Sequence, residues 1–195
     1  MENKKSLLKD IIEVIIGVAI ISFILLKFIL VPCEVHGTSM YPLLKDNDRA
    51  YSFIITRKAG INRFDISVIN VNDNGNEKLI VKRVIGLPND TIEYKNNKLY
   101  VNGVLTNEDY LSGVNTQDLK ITLADDEYYC LGDNRDVSKD SRYYGPFKGE
   151  DIIATNLFVI YPFKDFGVKK WVFNGFLDIC KKPEGKWRSN LNLLI

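Results

Sequence analysis

A long apolar run near the amino terminus constrains this chain more than any other feature. From Ile11 to Val31 the sequence reads IIEVIIGVAIISFILLKFILV. A helix needs about 20 residues, at 1.5 Å rise per residue, to cross the hydrocarbon core of a bilayer. The apolar residues surround the whole helical wheel and do not form one stripe, which argues against a buried helix of a soluble domain. The run predicts a transmembrane anchor over 11–31.

The charges around this run predict its orientation. Lys4, Lys5 and Lys9 precede it, and positive charge is retained on the cytoplasmic side of a membrane. Residues 1–10 are therefore expected in the cytoplasm, and the chain beyond the anchor is expected outside the plasma membrane. A cleaved secretory signal would show an A-x-A-like site, which is absent. A lipoprotein signal would modify Cys33, but Pro32 directly precedes it in a run of bulky apolar residues.

Composition excludes several classes of chemistry. The chain has 195 residues and a formal net charge of +1, so bulk attraction to nucleic acid is not expected. Its single histidine, His36, lies three residues before Ser39, too close along the backbone for a Ser-His-Asp arrangement. Three cysteines lie far apart without a CxxC spacing, which excludes a short-spaced zinc or redox motif. No metal and no cofactor are predicted.

Beyond Pro32 the pattern changes to short β-branched and aromatic runs separated by turn residues. No helical period is evident between residues 40 and 160, so the chain is predicted to be mainly β, with one antiparallel β-sheet catalytic domain over 32–162. Residues 112–125 are polar and are expected to form a loop. Hairpin turns are expected at 73–76, 95–98 and 102–103. The predicted strands are DISVINV (65–71), KLIVKRVIG (78–86), DTIEY (90–94), KLYVNG (98–103), EYYCLG (127–132) and NLFVIYP (156–162).

Residues 163–195 form a tail whose role the sequence leaves open. Its apolar stretch WVFNGFLDIC (171–180) is too short for a second membrane span. We expect this stretch to pack against the domain.

Four segments carry residues suited to catalysis. They are GTSMYP (37–42), RFDISVI (63–69), VKRVIGLPND (81–90) and GDNRDVSKDSR (132–142). Without a histidine or a metal, a serine hydroxyl needs another base to take its proton, and a neutral lysine can serve. Lys82 lies in an apolar run, and burial there would favour the neutral amine. The alternative is an ordinary strand lysine facing outward, since alternation places Lys82 opposite Val81 and Arg83.

Taken together and in this order, the four segments resemble those of type I signal peptidases, in particular the Gram-positive enzymes, which use a Ser-Lys dyad. The resemblance covers most of residues 10–162, and the pattern G-D-N-R-x-x-S-x-D-S-R-x-x-G over 132–145 is long and without gaps. It implies a membrane-bound serine endopeptidase of signal-peptidase fold. Such an enzyme removes signal peptides from exported preproteins after an Ala-x-Ala-like site, so its partners would be signal peptides and membrane lipid.

The resemblance also implies roles for individual residues. Ser39 would be the nucleophile, Lys82 the general base, and Ser138 a hydrogen-bond partner that orients the lysine amine. The Ser39 N–H would form part of the oxyanion hole. Some members place a serine at the position of Gly37, so the second oxyanion donor is left open here. Four further residues would form ion pairs that brace the site: Arg83, Asp133, Asp140 and Arg142.

Two small apolar pockets would select Ala-like residues at positions −1 and −3 of the signal peptide. By matched position their lining is expected to be Val35, Met40, Leu44, Val68, Ile80 and Val81, although each is equally suited to ordinary core packing. The chain departs from the family pattern at Leu43, at Phe64 and at Asn89, where the family has threonine, glycine and glycine. A positive φ at either of the last two positions would suit asparagine better than phenylalanine.

Three other functions remain open on sequence alone. A LexA-like self-cleaving protease shares the Ser-Lys chemistry but lacks an anchor. A non-catalytic, membrane-tethered β module that binds exported chains would not need Ser39, Lys82 and Ser138 together. A maturation protease dedicated to a few surface proteins or pilins would share every motif. The oligomeric state is not predicted.

Overall fold

The structure is a computed structural model that describes residues 2–54, 56, 60–112 and 116–169. The first element is the helix α1, Glu2–Ile29. It stops before the end of the predicted anchor because Leu30 and Val31 already belong to the first strand. Among the described residues, no helix has the combined length and hydropathy that crossing a membrane requires. The stretch 171–180 lies outside the described residues.

The described part of the chain beyond α1 is built almost entirely from antiparallel strands, which confirms the prediction of a mainly β protein. The only α-helical segment for which the structure gives both ends there is the four-residue α2, Ser141–Tyr144. The strands are β1 Leu30–Glu34, β2 Arg49–Phe53, β3 Ile66–Asp73, β4 Asn76–Gly86, β5 Thr91–Lys95, β6 Lys98–Val101, β7 Val104–Thr106, β8 Leu119–Thr122, β9 Glu127–Leu131, β10 Phe147–Lys148, β11 Ile152–Tyr161 and β12 Gly167–Lys169.

These strands form two sheets, where the sequence pattern suggested one. The large sheet has the order β1-β2-β11-β3-β4-β9-β10, with β12 paired to β11, and the small sheet has the order β7-β6-β5-β8. The chain leaves the large sheet after Gly86, at a turn in which Asn89 has a φ of 67°. The Asp90 carboxylate accepts the N–H of Leu87 across this turn, and the turn directs β5 into the small sheet.

The three expected hairpin turns are present. Asn74 and Gly75 connect β3 to β4 with φ values of 57° and 87°. Asn96 and Asn97 connect β5 to β6 with φ values of 51° and 58°. The third turn, at 102–103, connects β6 to β7. Two consecutive residues with positive φ match the twist of the flanking strands, and asparagine and glycine tolerate that conformation.

The strand β4 is the element that positions the candidate site. It pairs with β3 over 76–83 and with β9 from Arg83 onward. The strand thus carries its central residues into the middle of the large sheet. An apolar cluster, which we call the Met40 cluster, packs beside it and joins the chain after β1 to the strands β3 and β11. Its buried members are Val35, Met40, Leu44, Ala50, Ile66, Val68, Leu157 and Val159.

Candidate active site

Ser39 lies in a tight turn between β1 and β2. The N–H of Tyr41 donates to the Thr38 carbonyl at 3.1 Å, and the N–H of Leu44 donates to the Met40 carbonyl at 2.9 Å. The side chain of Met40, next to Ser39, is only 2 % exposed. Because the following residue is anchored in the apolar core, the hydroxyl of Ser39 is held in one place and remains partly accessible.

Lys82 lies on β4 and reaches this serine. Its Nζ donates to Ser39 Oγ at 2.9 Å and to the Val81 carbonyl at 2.9 Å. The residue is 3 % exposed, so it is not an outward-facing strand lysine. On β4 it shares its face with Ile80 and Val84, which pack in the core of the large sheet.

Burial changes the acid–base chemistry of this amine. Desolvation of the ammonium lowers the pKa of Lys82 from 10.5 to about 8, and the negative charges of Asp140 and Asp133 oppose that shift. A neutral amine within hydrogen-bond distance of a serine hydroxyl is able to accept its proton. Among the described residues, no cluster of His, Cys, Asp and Glu side chains is arranged to hold a metal ion.

The segment 132–142 closes the site from the other side. The N–H of Asn134 donates to the Ser39 carbonyl at 3.0 Å. A Cβ added at Gly132 would lie 2.5 Å from that carbonyl oxygen and 2.2 Å from Ser138 Oγ. A side chain at this position would therefore push away the turn that carries Ser39, which gives the glycine of the GDNR pattern a steric reason.

Two ion pairs hold the residues that the family resemblance named as supports. Arg83 donates to Asp133 through Nε at 2.7 Å and Nη2 at 2.6 Å, with both side chains fully buried. Arg142 donates to both carboxylate oxygens of Asp140 at 2.8 and 2.9 Å. Burial would raise the pKa of Asp140, but bonds from Arg142 and from the Gly132 N–H hold that pKa below its ordinary value.

Ser138 differs from expectation in its contacts. Its hydroxyl is buried but makes no hydrogen bond to Lys82 among the described residues, because the amine is directed to Ser39 and to the Val81 carbonyl. The hydroxyl lies over Gly132, where an added Cβ would come within 2.2 Å of it. Ser138 thus lies near the candidate dyad, but the structure does not contain the predicted hydrogen bond between its hydroxyl and the Lys82 amine.

Two backbone N–H groups bear on the expected oxyanion hole. Within the described residues, the N–H of Ser39 donates to no acceptor, so it is available to a ligand. The N–H of Gly37 is already used, because it donates to Asp46 Oδ1 at 2.7 Å. Gly37 has a φ of 86°, which a glycine adopts without strain. Its place in the structure is that of a turn residue braced by Asp46.

The six expected pocket residues divide between two places. Val35, Met40, Leu44 and Val68 are buried in the Met40 cluster, and Val81 packs against it. Ile80 lies on the face of β4 opposite to Val81, the face that also carries Lys82, and it packs against a different cluster, which contains Val84 and Cys130. The structure therefore brings five of the six together in the cluster that contains Met40, the neighbour of Ser39, and places Ile80 in another cluster.

Both glycine positions at which the chain departs from the family pattern have a positive φ. The value is 70° at Phe64 and 67° at Asn89. Phe64 is held there by its N–H, which donates to the Val84 carbonyl at 2.7 Å, and by its carbonyl, which accepts from Arg83. Its ring also packs on Tyr110 at 5.9 Å between centroids. These contacts offset the cost of a left-handed conformation at a phenylalanine.

One cluster of buried polar residues near the site was not predicted from the sequence. Arg135 is 2 % exposed, and its Nη2 pairs with Glu108 between the small sheet and the segment 132–142. Tyr94 and Tyr110 also donate to Glu108. Arg135 stands inside the GDNR run, so its position was a usable signal. Glu108 and the two tyrosines belong to no motif.

Comparison with known proteins places the chain in one family. The family described as "Signal peptidase, peptidase S26" matches residues 8–161. Signal peptidase IB of Staphylococcus aureus strain MRSA252 is 37 % identical over 191 residues, covering 88 % of this chain and 96 % of that protein. Signal peptidase I S of Bacillus subtilis strain 168 is 36 % identical over 179 residues, with coverages of 85 % and 95 %. A crystal structure of a signal peptidase I from Enterococcus faecalis V583 aligns with a TM-score of 0.44 and 35 % identity, over 49 % of this chain and 95 % of that chain.

Proposed function

Since the chain belongs to the signal peptidase family, peptidase S26, and is a signal peptidase I, we propose that its serine-protease chemistry is carried by Ser39 as nucleophile and Lys82 as general base. The observation that supports this most directly is the 2.9 Å hydrogen bond between Lys82 Nζ and Ser39 Oγ. The lowered pKa of about 8 adds to it, because it makes the neutral amine accessible near physiological pH.

The proposed reaction has two steps. The neutral Lys82 amine takes the proton of Ser39 Oγ as that oxygen bonds to the scissile carbonyl carbon. The resulting ammonium then gives its proton to the leaving amine, the peptide C–N bond breaks, and an acyl-enzyme remains on Ser39. Water, deprotonated by the same amine, releases the signal peptide and regenerates the hydroxyl. Through this cycle Lys82 is alternately base and acid, which its pKa of about 8 permits.

The free N–H of Ser39 is the proposed oxyanion donor. It has no acceptor among the described residues, and the turn that carries it is fixed by Met40 and by the bond from Asn134. One such donor contributes about 3–4 kcal/mol to transition-state stabilisation. Gly37 is not proposed as a second donor, because its N–H is engaged by Asp46.

Substrate selection is proposed to come from the apolar surface next to the dyad. Val81 lies beside Lys82 and packs against the Met40 cluster, so small residues near the cleavage site would be accommodated and large ones excluded.

Over 76–82, strand pairing in the described residues occupies one edge of β4 alone. An extended substrate segment would find backbone groups there to bond to. Val81→Ala is expected to admit a valine at position −1, and unchanged selectivity would contradict this assignment.

Membrane attachment is proposed from the apolar surfaces of the chain. The large apolar side chains that the structure describes between Ile11 and Leu26 of α1 are all exposed, from 47 to 69 %. Further along the chain, Phe163 and Phe166 are 81 % and 59 % exposed, on the segment between β11 and β12. β11 is two strands from β1, which directly follows α1. An apolar helix before β1 and exposed aromatic rings after β11, two strands away, fit a domain that rests on a lipid surface.

The dyad is tested by cleavage of a preprotein with an Ala-x-Ala site by the full chain in detergent. Ser39→Ala and Lys82→Ala are each expected to abolish detectable cleavage, with an unchanged circular dichroism spectrum. Lys78→Ala is the matched control, because Lys78 lies on the same face of β4, pairs with Asp73 and is solvent-exposed. Its rate is expected to stay within about twofold. Normal cleavage by Ser39→Ala or Lys82→Ala would refute the dyad.

The attachment and its orientation are tested on intact cells that express the full chain. Externally added protease is expected to digest residues beyond 32, and the chain is expected to sediment with membranes after a carbonate wash. Protection from the protease would reverse the proposed orientation. Release of the chain from the membranes by carbonate would refute the proposed anchor.

A further inference from the structure

A buried ion pair outside the proposed dyad links the small sheet to the segment 132–142. Arg135 Nη2 pairs with Glu108 Oε1, and the two side chains are 0 % and 7 % exposed. Glu108 lies between β7 and β8 of the small sheet. A buried charge pair costs desolvation on both partners and is retained where its geometry is well satisfied, so its connections are informative.

One oxygen of Glu108 collects three donors. Besides Arg135, the hydroxyls of Tyr94 and Tyr110 donate to Oε1 at 2.9 and 2.8 Å. Arg135 Nη1 also donates to the Tyr94 hydroxyl at 2.8 Å. An ionised carboxylate suits this role because charge-assisted bonds are stronger, whereas a neutral amide would leave the buried Arg135 without a counter-charge.

From Arg135 the contacts lead to the nucleophile. Its Nε donates to the Gly132 carbonyl at 3.0 Å. Gly132 packs so closely on the Ser39 carbonyl that no Cβ fits between them, and Asn134 donates its N–H to that same carbonyl. The place of the Arg135 guanidinium therefore sets the place of the backbone 132–134 on which Ser39 rests.

From Tyr110 the contacts lead to the strand of the base. The Arg83 guanidinium carbon lies 4.1 Å from the centroid of the Tyr110 ring. Arg83 is the neighbour of Lys82 on β4 and is paired with Asp133. Tyr110 thus touches Glu108 with its hydroxyl and Arg83 with its face. The single carboxylate of Glu108 is connected to the nucleophile through Arg135 and to the base strand through Tyr110.

We propose that Glu108 is a positioning residue for peptide-bond cleavage, which holds Arg135 and Tyr110 so that Ser39 and Lys82 stay in register. Glu108 contacts neither Ser39 nor Lys82 in the described structure, and it acts through these two partners. The proposal rests on the proposed function, because it presupposes Ser39 as nucleophile and Lys82 as base.

The test compares Glu108→Gln and Tyr110→Phe with a matched control in the full chain. Glu93→Gln makes the same change on β5 of the small sheet, at a partly exposed pair with Lys120 (3.0 Å; side chains 31 % and 65 % exposed). We expect kcat to fall about tenfold or more in Glu108→Gln with KM changed less than about threefold, since small misplacements of reacting groups reduce the rate steeply. Tyr110→Phe should lower kcat several-fold, and Glu93→Gln should change it less than about twofold.

The rates are measured well below each unfolding midpoint and divided by the folded fraction. A residue that only stabilises the fold would lower the midpoint and leave kcat per folded molecule unchanged, and that result would overturn the proposal. If Glu108→Gln does not fold, Tyr110→Phe decides, because it keeps the ring on Arg83 and removes only the hydroxyl; an unchanged kcat then overturns the proposal. Ser39→Ala is measured alongside. Full cleavage by it would refute the dyad, whereas loss of cleavage with normal Glu108→Gln and Tyr110→Phe would refute only this inference.

Discussion

The two faces of β4 each carry a buried basic side chain, and only one of the two side chains is paired with a carboxylate. On one face Lys82 is 3 % exposed, has no carboxylate within ion-pair distance among the described residues, and has its pKa lowered to about 8. On the other face Arg83, the next residue, is fully buried and bonds to Asp133 through two nitrogens. Adjacent positions therefore combine a cation that burial drives toward neutrality with a cation that is kept charged.

The difference follows from the chemistry of the two groups. A guanidinium cannot lose its proton in the accessible pH range, so a buried arginine needs a counter-charge. An ammonium can lose its proton, so a buried lysine without a close partner becomes a neutral amine instead. A site that needs a base requires a buried lysine without a close carboxylate. The paired arginine stabilises the same strand. Substitutions on each face should consequently change stability in opposite directions.

The largest effect is expected on the paired face. Arg83→Met leaves the Asp133 carboxylate buried without its partner, which should reduce the free energy of unfolding by about 3–5 kcal/mol. Urea unfolding at pH 7 measures the loss. Arg49→Met is the matched control, because Arg49 pairs with Glu34 on the surface at 3.8 Å with side chains 66 % and 49 % exposed. The control should lose less than about 1 kcal/mol. Equal losses of unfolding free energy in the two variants would show that the buried pair is no more important for stability than the exposed pair.

A change of opposite sign in the free energy of unfolding is expected on the face that carries Lys82. The folded pKa of Lys82, about 8, lies below its ordinary value of 10.5, so the unfolded chain binds more protons between these two pH values. This group therefore makes the wild-type protein more stable as pH rises through that window, and its penalty is fully present below pH 8. Lys82→Met should raise stability at pH 6.5 by up to about 3 kcal/mol, although it removes activity.

Urea unfolding of both proteins at pH 6.5 and at pH 10 tests this sign. The advantage of Lys82→Met should shrink toward zero at the higher pH. A variant that is less stable than the wild type at pH 6.5 would show that the charged amine is favourably solvated or paired in the fold.

The smallest expected effect is the pH dependence of the cleavage rate. Because only the neutral amine accepts a proton, kcat/KM should rise about tenfold per pH unit below pH 8 and level off above it. The profile is measured with a short peptide that has no titrating group in this range. A rate still rising near pH 10 would mean that burial does not lower the pKa of Lys82 in solution.

Much of the large sheet could be predicted from the sequence because its central strands carry strong local signals. The β3–β4 hairpin has β-branched residues on both sides of an Asn74-Gly75 turn, and the prediction differed from the structure only at the strand ends. β1, β2, β8, β10 and β12 were missed, and β7 was expected only through the turn at 102–103 that precedes it. β1 continues the apolar run of α1, and β8 lies in the polar stretch 112–125, so both depend on pairing with distant strands that a local pattern does not reveal.

The site was predictable in its parts but not in its contacts. The spacing of residues could not decide whether Lys82 faced solvent, because strand alternation fits either direction until the neighbouring strands are placed. Ser138 was named from its motif, yet its contact with the amine is absent from the structure. Glu108 gave no signal at all. Its role depends on three donors that arrive from β5, from the β7–β8 loop and from the segment 132–142.

Because Lys82 is the proposed base, its burial also makes activity depend on folding. In an unfolded chain with a lysine pKa near 10.5, about one amine in a thousand is neutral at pH 7.5, whereas a pKa of about 8 makes about a quarter neutral. The hydrogen bond from Lys82 to Ser39 joins residues 43 positions apart, and Asn134, from much later in the chain, donates its N–H to the Ser39 carbonyl. With Ser39 as the proposed nucleophile and Lys82 as the proposed base, a chain in which these segments have not yet docked is expected to be inactive.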